Sequence, residues 1–189
     1  MAEIPPRPTK AQVAGAANLL VPDVIADGLD VLFVGINPGL YSAAIGYHFG
    51  RPGNRFWPAL HLGGFTSRQL SPFEEYLLLE DNLGITNVVE RASARADELT
   101  DAELVAGAAV LAEKIDRHAP RVAALLGVTS YRIAFGRPKA VLGLQPEKLG
   151  ETELWVLPNP SGLNAHYQLP DLGRLFAELR DHVRPPEKG

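Results

Sequence analysis

The chain contains no cysteine. Disulfides, thiolate zinc sites and cysteine-held iron–sulfur clusters are therefore excluded. No apolar run reaches about 18 residues, the length a transmembrane helix needs. Any large excess of one sign of charge is lacking as well. Lys and Arg number 18 and Asp and Glu 22, a formal net charge of −4. That argues against coating nucleic acid by charge alone, yet leaves room for a local basic groove. There is no internal repeat and no low-complexity tract. His48, His61, His118, His166 and His182 lack metal-ligand spacing, so no metal site and no cofactor are expected. The acidic pairs Glu74-Glu75 and Glu80-Asp81 read as a solvated helix face. The stretch MAEIPPRPTK has no apolar signal-peptide core. Residues 1–27 read as a partly disordered lead-in, and residues 184–189 as a disordered tail. A cytoplasmic protein without membrane contact is expected, nucleoid-associated if bacterial.

What is present is ordinary globular material. Hydrophobic residues make up 46% and charged residues 21% of 189 positions, enough for one domain over residues 28–183. Strand-like runs alternate with helix-like runs, which predicts an α/β fold. Strands are expected at 30–36, 85–89, 121–127 and 154–157. Helices are expected over 54–62, 72–80 and 130–135, and from about 170 onward. Thr100 and Glu103 form a capping box, and Leu104, Ala108, Leu111 and Ile115 follow at helical spacing.

Two loops share one construction. GINPGL (35–40) follows the first strand and LPNPSGL (157–163) follows the last. Proline fixes φ and removes a donor, while glycine allows close approach. Each loop taken singly reads more readily as a sturdy βα turn; two at strand ends of one sheet suggest a site. A third segment, GYHFGRPGNRFWPAL (46–60), interleaves aromatics with Arg51 and Arg55. Aromatic faces stack on bases, and arginine contacts phosphate or stacks. Phe56 and Trp57 read as core, and Phe49 as a pocket residue.

These segments and GITNVVER (84–91) occur in an order that resembles the mismatch-specific uracil-DNA and thymine-DNA glycosylase family over residues 28 to 180. The resemblance implies a three-layer α/β/α fold with a central, mostly parallel sheet. It implies a monofunctional, cofactor-free enzyme, a monomer acting on double-stranded DNA with G·U or G·T mispairs. Uracil, thymine or ethenocytosine would be flipped out of the stack and its N-glycosidic bond hydrolysed, the first step of base excision repair. Asn37 matches the catalytic asparagine that positions water. Ile36, Ser42, Phe49 and Asn87 match the base pocket, Phe49 as the stacking ring. For Asn87 the alternative is a strand-end residue bonding local backbone. Asn159, Pro160, Ser161, Gly162, Leu163 and Asn164 match the insertion loop. Leu163 would be the wedge, unless it folds back onto the last helix. The family's arginine two positions later is replaced by Ala165. Backbone groups of 162–164, or the side chains of Asn164 or His166, stand near its place. The rival reading is a non-enzymatic nucleotide- or damaged-base-binding α/β module, which would have no use for a water-positioning amide.

Overall fold

The computed structural model describes residues 4–185. Five strands, β1 (Val31–Gly35), β2 (Leu83–Asn87), β3 (Val122–Leu126), β4 (Gly143–Leu149) and β5 (Thr152–Leu157), form one sheet in the order β2-β1-β3-β5-β4. All neighbours are parallel except β4, which runs antiparallel to β5 at one edge. β1 and β3 are buried along their whole length. Such continuous apolar runs belong to strands covered on both faces.

The period-2 alternation divides each strand between two cores. Val31 and Phe33 of β1 join Phe56 and Leu60 of α3 (Phe56–Leu62) and Leu172, Phe176 and Leu179 of α6 (Leu169–Val183). Leu32 and Val34 join Leu104, Ala108, Leu111 and Ile115 of α4 (Asp101–His118), with Tyr131 of α5 (Val128–Ala134), on the other face. The result is the expected three layers of helix, sheet and helix. The Thr100–Glu103 capping box is formed as the sequence predicts.

The segment expected as a lead-in carries α1 (Lys10–Ala14), started by a Thr9–Gln12 capping box. Further along, Val24 exchanges two backbone hydrogen bonds with Ile85, of 2.9 and 2.8 Å. That contact covers the outer edge of β2, which would otherwise present unpaired amides. Of the expected tail, Arg184 donates to Asp30 at 3.1 Å, and residues 186–189 lie outside the described residues.

Three elements differ from expectation. β4 was not anticipated, because its more buried positions carry Gln145 and Glu147 rather than apolar side chains. Glu147 instead accepts from the Tyr131 hydroxyl at 2.6 Å and from Arg137 at 3.1 Å. The six-residue α2 (Leu40–Ile45) is too short to show a period. Residues 72–81 form a 3-10 helix, not an α-helix. A three-residue turn stacks i and i+3, and here it aligns Glu75 and Leu78, the two buried residues of that stretch. Glu75 therefore does not belong to a solvated face.

Candidate active site

β1, β2, β3 and β5 run parallel, so their carboxyl ends meet at one edge of the sheet. Open sheets of this type gather ligands there. The segments leaving these strands enclose a cleft of about 420 Å³. Ile36, Asn37, Ser42, Phe49, Asn87, Asn159, Pro160, Ser161, Leu163 and Asn164 all line it. Of the expected catalytic, base-pocket and insertion-loop positions, only Gly162 does not. Its backbone packs against the 51–54 turn, where an added Cβ would sit 2.8 Å from the Gly53 carbonyl oxygen.

Asn37 is held from one side. Its Nδ2 donates to the Arg91 carbonyl and to Ser93 Oγ, each at 2.8 Å. Ser93 Oγ donates onward to the Arg95 carbonyl at 2.7 Å. Both amide hydrogens are thus committed, while Oδ1 has no protein donor among the described residues. An amide in this state is a fixed acceptor. Backbone bonds clamp the two segments together, Ser93 N to the Pro38 carbonyl and Leu40 N to the Ser93 carbonyl, both 3.1 Å. Segment 91–95 is tied in turn to α4 by Arg91, which donates to the two Glu103 carboxylate oxygens at 2.7 and 3.1 Å. The Arg91 hydrogen bonds, and then the Thr100 backbone amide, hold the Glu103 carboxyl down at about 2. Sequence reading missed Ser93 and Arg91. Arg91 closes the GITNVVER segment without being assigned a role, and Ser93 lies beyond any motif with its partner 56 positions away.

The base-pocket positions differ in how they are held. Phe49 has φ of 51°, a left-handed conformation that costs a non-glycine residue roughly 1–2 kcal/mol. Its ring lies 4.2 Å from the Phe56 ring centroid at an interplanar angle of 28°. Phe56 and Trp57 are core, as expected. The preceding His48 anchors the strained turn. Its backbone N donates to Glu75 Oε2 at 2.9 Å, and its Nδ1 lies 3.0 Å from the same oxygen. Ser42 Oγ accepts from Gly50 N at 3.0 Å and so holds the far end of that turn. Ile36 lines the cleft yet also packs toward Gly127, where an added Cβ would come within 3.1 Å of it.

Asn87 ends β2 opposite Gly35 in the register. Its side chain is only 9% exposed and makes no hydrogen bond within the described protein, so both amide ends remain available at the cleft wall. A Cβ at Gly35 would meet Asn87 Oδ1 and push that amide from its present place.

The loop after β5 is a chain of local turns. Asn159 Oδ1 accepts from Ser161 N at 2.9 Å, and Asn164 Nδ2 donates to the Asn159 carbonyl at 3.0 Å. Leu163 projects outward, 69% exposed, and does not fold back onto α6. Arg55 was expected to face nucleic acid with Arg51. It turns inward instead, donating to the Ser161 and Asn164 carbonyls at 2.6 and 2.9 Å and to the Tyr167 carbonyl. Arg51 remains exposed at the rim of the cleft.

The family model that matches this sequence is the uracil DNA glycosylase superfamily, over residues 22–183. Among solved structures, the solution NMR structure of a candidate uracil DNA glycosylase from Methanosarcina acetivorans aligns with a TM-score of 0.57 at 19% identity. The alignment covers 86% of this chain and 98% of that one, and at this identity the likeness is one of fold.

Proposed function

Since the chain belongs to the uracil DNA glycosylase superfamily, we propose that it is a monofunctional, cofactor-free glycosylase that excises uracil mispaired with guanine. Thymine and ethenocytosine opposite guanine are the further substrates of this reading, and a cytoplasmic monomer on double-stranded DNA is its setting. The observation that carries it is the free Oδ1 of Asn37, whose Nδ2 is committed to Arg91 and Ser93. A binding module could use such an acceptor only for a ligand donor, so cleavage, and not binding, separates the two readings.

In the proposed reaction the flipped nucleotide places its base against Phe49. The bond between C1′ and N1 breaks first, and both electrons leave with the base. Water then adds to the cationic sugar. Asn37 Oδ1 accepts one hydrogen of that water and turns its lone pair toward C1′, and the spare proton passes to solvent. An amide is too weak a base to remove the proton earlier, so orientation is its contribution. Asn87 suits the leaving group. Its Nδ2 can donate to O4 and its Oδ1 can accept from N3–H. A donor aimed at an oxygen that gains charge binds the transition state more tightly than the ground state.

The test is single-turnover cleavage of labelled oligonucleotides carrying G·U, A·U and single-stranded uracil, with alkali scission at the abasic product. Cleavage of G·U faster than A·U is the expected result. Binding without cleavage on every substrate would overturn the reading.

A further inference from the structure

Arg55 is partly buried and none of its guanidinium nitrogens meets a carboxylate within ion-pair distance among the described residues. Its partners are carbonyl oxygens alone, those of Ser161, Asn164 and Tyr167. These three bracket Leu163 in the chain. Arg55 N also donates to the Pro160 carbonyl at 3.0 Å. The arginine itself sits at the start of α3, one residue before Phe56, which is fully buried. A rigid core helix thus carries a fork whose tines reach into the 160–167 turn.

The consequence for the turn is directional. Four of its carbonyls, those of 160, 161, 164 and 167, are drawn inward, away from the surface where a polyanion would lie. Between the second and third lie the exposed Gly162 and Leu163, the latter 69% exposed. The planar guanidinium suits this task, because its donors diverge in a fixed geometry that an ammonium lacks. With no carboxylate partner, its charge also remains beneath the loop.

We propose that Arg55 is the positioning residue of the wedge: by gripping these carbonyls it sets the loop shape that lets Leu163 enter the gap left by a flipped nucleotide. This rests on the glycosylase reading. It assigns Arg55 to the processing of duplexes, where a gap must be filled, more than to that of single strands.

The test compares wild type, Arg55→Met, Arg55→Lys, Leu163→Ala and the Arg55→Met/Leu163→Ala double variant. Each is assayed under single turnover on G·U duplex and on single-stranded uracil, alongside its thermal midpoint. Arg55→Met is expected to lose at least about tenfold on the duplex, several-fold more than on the single strand. Arg55→Lys should recover part of that loss. The double variant should be no slower on duplex than Arg55→Met, since a misplaced wedge has little left to lose by truncation. Equal losses on both substrates, or multiplicative losses in the double variant, would overturn the assignment while the glycosylase reading stood. A wild-type protein inactive on every uracil substrate would remove both.

Discussion

Asn37 has its two hydrogens spent on the Arg91 carbonyl and Ser93 Oγ, and this decides what substitutions should do. Asn37→Ala removes an orienting contact and is expected to lose at least about a hundredfold in single-turnover rate, on the order of 3 kcal/mol, with duplex binding retained. Asn37→Asp is also expected to be slower than wild type, although a carboxylate is the better base. Its second oxygen would face the Arg91 carbonyl, an acceptor, where an N–H now donates. Ser93→Ala should fall between wild type and Asn37→Ala, because one of the two bonds survives. If Asn37→Asp proves faster, basicity and not orientation limits the reaction. Asn87 makes a different prediction, since in the proposed reaction its amide would meet the base edge rather than the water. Asn87→Ala and Asn87→Lys should change the ratio of uracil to thymine and ethenocytosine cleavage, while Phe49→Ala should lower all three, as stacking tolerates any base. An unchanged ratio in both Asn87 variants would make it a structural residue. The loops of Asn37, Phe49 and Leu163 were legible in the sequence because glycine, proline and aromatics mark them locally, whereas Asn87, at the end of β2, stood out only through the family resemblance. Ser93, Glu75 and the inward turn of Arg55 were not, since their contacts span 56, 27 and 106 positions.

Segment 91–95 shows how an element far from the motifs can govern them. It carries both acceptors of Asn37, and its own anchor is the Arg91–Glu103 pair at the start of α4. The folded-state carboxyl of Glu103 is held at about 2, below its ordinary 4.5. A depressed carboxyl contributes stability above the unfolded value and loses it as pH falls through the folded one. The anchor is therefore expected to be complete above about pH 4.5 and to weaken toward about pH 2. Both groups are solvent-exposed, so the effect should be local rather than global. Hydrogen exchange at the Ser93 amide is expected to quicken in Glu103→Gln at neutral pH, with little change in the thermal midpoint. An unchanged Ser93 amide would show that the Pro38 and Leu40 backbone bonds suffice. Elements were readable where they obey a strong period. α4 and α6 do so because each buries one apolar face, while β1 and β3 are readable for the opposite reason, as continuous apolar runs buried on both faces. β4 escapes because Gln145 and Glu147 stand at its inward positions, α2 because six residues hold no period, and the 3-10 helix because i and i+3 also coincide on an α-helix.

For the whole molecule, the question is how an acidic body holds a polyanion. The formal charge of −4 gives no long-range attraction, so affinity has to come from a few contacts around the cleft. Most guanidinium groups near it are already occupied. Arg91 and Arg95 pair with Glu103 and Asp97, and Arg55 serves the loop. Arg51 is exposed at the rim and makes no ion pair among the described residues. Each phosphate neutralised by a cation contributes about −0.9 to the slope of log K against log salt on duplex DNA. With so few free cations, a shallow slope is expected, about −2 to −3. Fluorescence anisotropy of a G·U duplex between low and moderate salt measures it, using Asn37→Ala so that cleavage does not intrude. Arg51→Gln should weaken binding on matched and mismatched duplexes alike and flatten the slope by about 1. Arg55→Gln should change the slope less than Arg51→Gln, because its guanidinium is held on carbonyls beneath the loop rather than at a phosphate. A slope steeper than about −6 would require a broad basic surface, and an unchanged slope in Arg51→Gln would mean that the duplex approaches the cleft from the side away from residues 51–54.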